Sequence, residues 1–215
     1  MENALAPVLE PNDIIITMLP QHAQTRAFFR QTIGLDIHSR AQGIRKRIGK
    51  EIWDDLFTFT FVRQPIERLH SLYRFCHDRI ASAPMSSEER EVFLQNDEMP
   101  ERKPYHLPAV RAVLRTSDFA EFAVHPDLVS SGEAWPQVKF IRDSHDRDLV
   151  DFVGKFEDLE RDWRVITDRL GVDLSLPMTN RTAFGADRNL PQDIVRTLSD
   201  RYAEDYEAFG YPVGT

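Results

Sequence analysis

The run Leu56-Phe57-Thr58-Phe59-Thr60-Phe61-Val62 constrains the fold more than any other stretch of the chain. It is aromatic and β-branched, interrupted only by threonines, and so favours an extended backbone packed against neighbours. A run that is apolar almost throughout, rather than at alternate positions, suits a central strand covered on both faces. Arg63-Gln64-Pro65 follows at once. Proline is tolerated at the first position of a helix, where its missing N–H costs nothing. Ile66, Leu69, Tyr73 and Cys76 then recur at helical spacing. Residues 56–79 are therefore expected to form a strand, a two-residue turn and a helix.

That expected unit places chemistry at its joint. In open α/β sheets, ligands bind at the carboxyl edge of the strands. Arg63 would stand at that edge. The next helix would aim its free N–H groups and its dipole into the same space, which favours an anion. Ser71 lies just under two turns into this helix, where its hydroxyl can reach a phosphate already held by the guanidinium. Arginine–phosphate bonds are charge-assisted and about twice as strong as neutral ones. The chain has 22 arginines against 5 lysines. That skew suits bidentate anion recognition, and genome composition bias would also produce it. The formal net charge of −8 sets nucleic-acid binding aside.

Elsewhere the chain alternates strand and helix signals. Residues 1–12 read as a loose lead-in. Asp13–Met18 is a short β-branched run between Pro11 and Pro20, expected as a buried strand, with a helix after it to about Arg30. Arg40 to Lys50 reads as a basic helix with a narrow apolar edge at Ile44 and Ile48. A helix flanked by loops is expected within 81–104, a short one over 118–124, and a strand over 150–155. Another helix should run from Asp158 and end at Gly171, and a last amphipathic one is expected over 191–209. This order predicts a mostly parallel sheet flanked by helices.

A length of 215 residues suits one domain, and 41% hydrophobic content supplies a core. The single cysteine, Cys76, permits no intrachain disulfide and no cysteine-based zinc site. No run has the roughly 20 apolar residues of a membrane span. Residues 1–12 lack a signal peptide's basic start and apolar stretch. The expectation is a soluble, cytoplasmic protein.

The string Phe61-Val62-Arg63-Gln64-Pro65-Ile66-Glu67-Arg68-Leu69-His70-Ser71-Leu72-Tyr73 resembles a family signature. It is similar to the 3′-phosphate-binding motif of sulfotransferases that use 3′-phosphoadenosine 5′-phosphosulfate (PAPS). The closer match is to the carbohydrate-sulfotransferase branch, whose pattern is roughly F-V-R-[DN]-P-x-x-R-L-x-S-x-Y. Only Gln64 departs from it. Val153-Gly154-Lys155-Phe156-Glu157-Asp158-Leu159 and Tyr202-Ala203-Glu204-Asp205 through Phe209-Gly210-Tyr211 resemble two further elements of the family, both expected to serve packing. The resemblance implies a P-loop-like sulfotransferase fold as a single domain over 13–215. It also implies that Arg63 and Ser71 contact the 3′-phosphate of PAPS, with no metal required.

The family's second phosphate site, commonly I-P-K-T-G-G-T-S, corresponds to Leu19-Pro20-Gln21-His22-Ala23-Gln24-Thr25-Arg26. Gln21 replaces the lysine, and both glycines are lost. By resemblance Gln21, His22 and Thr25 would line the 5′-phosphosulfate, and Arg26 or His22 would supply the missing positive charge. Glu133, in Gly132-Glu133-Ala134-Trp135-Pro136-Gln137, stands where many relatives carry a histidine before a P-Q pair, and is a candidate base for the acceptor hydroxyl. His125 is the alternative. His70, His77 and His106 read as helix-surface or core histidines. Residues 81–135 are expected to shape the acceptor pocket. Two readings follow: an enzyme moving a sulfuryl group from PAPS to a hydroxyl of a carbohydrate or small metabolite, or a nucleotide- or partner-binding module that has lost transfer activity.

Overall fold

The computed structural model describes residues 5, 8, 23–36, 38–176 and 190–213, with the side chains at 23, 25 and 26 outside that description. The strand expected over Asp13–Met18 lies outside the described residues. In chain order the first helices are α1 (Ala23–Thr32), α2 (Ala41–Ile48) and α3 (Lys50–Asp55), followed by strand β1 (Phe59–Val62). Then come α4 (Pro65–Ser82), α5 (Ser87–Asn96), α6 (Pro108–Leu114), α7 (Phe119–Val124), α8 (Pro126–Val129) and α9 (Val138–Ile141). Strand β2 (Phe152–Lys155) precedes α10 (Leu159–Leu170), α11 (Gln192–Arg201) and α12 (Ala203–Phe209). The chain groups into two compact units, Met1–Val62 with Gln137–Ala183, and Arg63–Pro136 with Phe184–Thr215.

The first unit is built on the expected apolar strand. β1 and β2 pair in parallel, with Phe59 opposite Phe152 and Phe61 opposite Gly154. Helix α10 packs on β2. Its buried Trp163 and Ile166 meet Phe57, Phe59, Phe61 and Phe152. The strand is shorter than the apolar run. Leu56 caps α3, and the Thr58 N–H and hydroxyl both donate to Asp151 Oδ2, at 2.7 and 2.8 Å. The Thr58 N–H is thus taken by a side chain while its carbonyl accepts from the Asp151 and Phe152 N–H groups, and the paired register begins at Phe59. The basic segment 40–50 is likewise not one helix. Gly49, at φ 94°, closes α2 and opens α3. Only glycine takes that backbone at low cost. The break lets Trp53 bury itself and donate to the Leu149 carbonyl at 3.0 Å.

The second unit is organised around α4. Its buried face, Pro65, Ile66, Leu69 and Cys76, packs with α6 and α7. Helix α5 buries none of its residues and is held at its start by a capping box between Ser86 and Glu89. Arg102 ties that end down through Glu89 and the Pro84 carbonyl. The amphipathic helix expected over 191–209 is interrupted at Tyr202, so α11 and α12 are separate. Helices α6, α8 and α9 are not among the expected elements; each has only four to seven residues and so gives little periodic signal. Among the described residues, no helix is long and apolar enough to cross a membrane.

Gly154 is required by a close approach. An added Cβ would stand 2.6 Å from Phe61 Cε1 and 3.1 Å from Asp162 Cβ. Gly154→Ala is therefore expected to lower unfolding free energy by about 1–3 kcal/mol, as overpacking does, measured by urea denaturation. Asp162 accepts from the Lys155 N–H at 2.6 Å and from Arg161 Nε at 2.8 Å. Burial pushes its carboxyl up, but Arg161 and Lys155 together outweigh burial and hold it below the usual 3.8. A folded-state value below the unfolded one adds stability above that range and loses it as pH falls through the folded value. Asp162→Asn should flatten the acid limb of a stability-versus-pH curve below about pH 4. An unchanged acid limb would show that this carboxylate is not a source of the acid sensitivity.

Candidate functional site

Helix α4 begins in a closed form. The Gln64 side chain accepts from the Glu67 N–H at 2.7 Å, and Pro65 has no N–H to offer. Asparagine or aspartate would cap the same donor, so glutamine at this position preserves the architecture with a longer side chain. The expectation that a set of free helix N–H groups receives an anion is corrected here, because the capping glutamine and the proline use up two of the first three positions.

Arg63 follows the last residue of β1 and reaches Glu67 in an ion pair of 3.5 Å, with the two side chains 30% and 33% exposed. Glu67 and Ser71, four residues apart, share a face of α4. Ser71 is exposed. Arg63 thus pairs with Glu67, and Ser71 lies one turn further along the face that carries Glu67. An i,i+4 ion pair at such exposure contributes about 0.5 kcal/mol.

Arg68 lies between them in sequence and does something different. Its two terminal nitrogens donate to the carbonyls of Trp135 and Glu133, each at 2.8 Å. Between those two carbonyls, that of Ala134 accepts from the Tyr202 hydroxyl at 2.8 Å. Three successive carbonyls are thereby held by side chains from distant parts of the chain. Burial pulls Arg68 below its usual range, while Tyr202 and the fully buried Asp205 act in the opposite direction. Arg68, Tyr202 and Asp205 are all motif positions, and the structure gives them a shared structural task.

The two candidate bases sit in structured surroundings. Half-buried Glu133 lies in a 3-10 turn over Gly132–Ala134, and its Oε2 accepts from the Ala109 N–H in the first turn of α6 at 3.3 Å. Cys76 is buried nearby, and burial first and Glu133 second push its thiol up to about 12, which leaves no reactive thiolate. His125 Nδ1 accepts from the Asp127 N–H at 3.2 Å and so caps α8. Among the described residues no hydrogen bond joins His125 to Arg63, Ser71 or Glu133. Gln21 and His22 lie outside the described residues. Thr25 and Arg26 fall on α1, and their side chains lie outside the description.

Sequence reasoning missed the clamp on 133–135 and with it the placement of Trp135. The available signals were Arg68, inside the string that resembles the 3′-phosphate motif, and Tyr202 and Asp205, three residues apart in an element read as packing. Removing the clamp tests it. Arg68→Ala deprives two carbonyls of a charged donor and is expected to lower stability by about 3 kcal/mol, read from the denaturant midpoint. A midpoint within experimental error of the parent would mean that the loop holds itself.

A model described as the Sulfotransferase family matches residues 21–212. Carbohydrate sulfotransferase 14 of Danio rerio is 24% identical over 173 residues, covering 73% of this chain and 44% of that protein. The chain therefore spans less than half the length of the curated relative it matches. No solved structure matches. With a parallel sheet flanked by helices and a family match over most of its length, the chain belongs to the sulfotransferase family.

Proposed function

We propose that this protein is a sulfotransferase that moves a sulfuryl group from PAPS to a hydroxyl of a carbohydrate or small metabolite. The reading is supported by part-exposed Arg63, directly after β1 and paired with Glu67, together with exposed Ser71 one turn beyond Glu67 on the same face of α4. A 3′-phosphate fits this arrangement. It would take the guanidinium from Glu67 and receive the serine hydroxyl, exchanging a weak ion pair for charge-assisted bonds. Family membership and the name of the Danio rerio relative support the reaction class.

In the reaction the acceptor oxygen attacks sulfur, and the bond from sulfur to the 5′-phosphate oxygen breaks. The products are a sulfate ester and adenosine 3′,5′-bisphosphate, and the hydroxyl proton passes to a base. Glu133 is the preferred base, because Arg68 fixes its backbone to the stretch of α4 that carries Ser71 and begins two residues after Arg63. His125 is the second candidate. Positioning and charge stabilisation dominate such a transfer. Gln21, standing where relatives carry lysine, favours one other reading, a nucleotide- or partner-binding module.

The test is a thermal-shift titration with adenosine 3′,5′-bisphosphate and with PAPS, followed by incubation with labelled PAPS and a panel of glycans and phenols. The parent should be stabilised by both nucleotides. Arg63→Ala should abolish the response, and Ser71→Ala should weaken binding by about tenfold, or 1.4 kcal/mol. Full affinity in Arg63→Ala would overturn the site. Clear binding without transfer to any acceptor would select the binding module.

A further inference from the structure

We infer that Trp135 is the platform on which the acceptor's ring lies. This rests on the proposed transfer reaction and adds what the acceptor must present. Trp53 and Trp163 are 9% and 3% exposed, whereas Trp135 is 38% exposed. An exposed aromatic alone means little. Phe28 and Phe75 are also exposed, each on an ordinary helix face, and Phe156 is exposed at the start of a 3-10 turn. Trp135 differs in its backbone. Its own carbonyl and the two before it are each held by a side-chain donor, from Arg68, Tyr202 and Arg68 again. Pro136 follows and keeps Trp135 extended, at φ −67° and ψ 149°.

Such a fixed loop removes part of the ordering cost from any ligand that docks on it. An indole has two stiff torsions and a large flat face, and so supplies contact area at low entropic cost. The face is electron-rich, and it takes the polarised C–H groups on one side of a pyranose, or the edge of another aromatic ring. Glu133, two residues back on the same turn, is the carboxylate nearest in sequence, with its Oε2 accepting from the Ala109 N–H at 3.3 Å. The chemistry recognised is a flat ring bearing hydroxyls. A pyranose sugar and a phenol share it, and the experiment separates them.

Trp135 is also the natural reporter, because the other two tryptophans are buried. Acrylamide quenching of tryptophan emission is measured on the parent and on Trp135→Phe, with and without hexasaccharides of neutral hexose, N-acetylhexosamine or uronate units, and with phenol. The parent should show a quenchable component that a hexasaccharide protects and that Trp135→Phe lacks. Phenol should protect less than the best saccharide. In the transfer assay, Trp135→Ala should raise the acceptor KM at least tenfold, while the affinity for adenosine 3′,5′-bisphosphate and the melting temperature stay at the parent values. Absence of protection by every saccharide, or an unchanged KM in a folded Trp135→Ala, would overturn the platform. Protection by phenol alone would reassign it to aromatic acceptors and overturn the sugar. The quenching arm needs no nucleotide. A parent that fails to bind the bisphosphate yet shows saccharide protection would count against the transfer reading and leave the platform standing.

Discussion

Arg68 brings a permanent positive charge into a half-buried position, and the unit around α4 is arranged by what that charge requires. An unpaired buried charge costs several kcal/mol. Here two carbonyl dipoles, a buried tyrosine and the carboxylate of Asp205 answer it. In return one guanidinium joins α4, the 133–135 loop and the C-terminal helices. Arg68 comes five residues after Arg63 and three before Ser71 in sequence. The helix that carries Ser71 is therefore also the anchor of the loop carrying Glu133 and Trp135.

The break at Tyr202 belongs to the same arrangement. An uninterrupted helix from residue 192 to 209 would keep its apolar stripe in register. Instead the backbone at Tyr202, with φ −106° and ψ 19°, ends α11 and starts α12. Tyr202 is fully buried, its hydroxyl reaches the Ala134 carbonyl, and the neighbouring Arg201 donates to the Ala123 carbonyl at 2.7 Å. Both bonds end on backbone oxygens that local structure leaves open, Ala123 near the end of α7 and Ala134 at the end of the 3-10 turn. Two side chains at one helix break thus complete two helix ends elsewhere in the unit.

What could be read from the residues follows from how local each feature is. The strand, turn and helix over 56–79 were legible because a β-branched run, a proline and a 3.6-residue period lie within one short stretch. Gln64 read as a departure from the family pattern, yet it caps α4, because a cap requires only an acceptor of suitable reach. The single helices expected over 40–50 and 191–209 are each divided, at Gly49 and Tyr202. The apolar period runs through both positions, and only a φ of 94° at one and a distant hydroxyl bond at the other reveal the breaks. Trp135 was legible only as part of a stretch expected to shape a pocket. Its placement depends on a bond to Arg68, 67 residues away, and pattern reading along the chain does not see contacts of that separation.

The excess of arginine over lysine also takes on a different meaning in the folded chain. Arg102 with Glu89 and Arg147 with Asp143 both close to 2.7 Å. Those guanidiniums hold their carboxyls down to about 2. Arg142 with Asp148 closes to 2.8 Å, and Arg115 with Asp97 to 2.9 Å. These arginines are engaged in charge-assisted bonds that pin loops and helix ends. Their abundance therefore says more about a chain rich in acidic residues than about anion recognition. The Arg63–Glu67 pair, at 3.5 Å, and the Arg45–Asp54 pair, at 3.7 Å, are longer than these and beyond the reach of a strong bond. Distance alone therefore does not distinguish Arg63 from the other arginines; its position directly after β1, at the turn into α4, does.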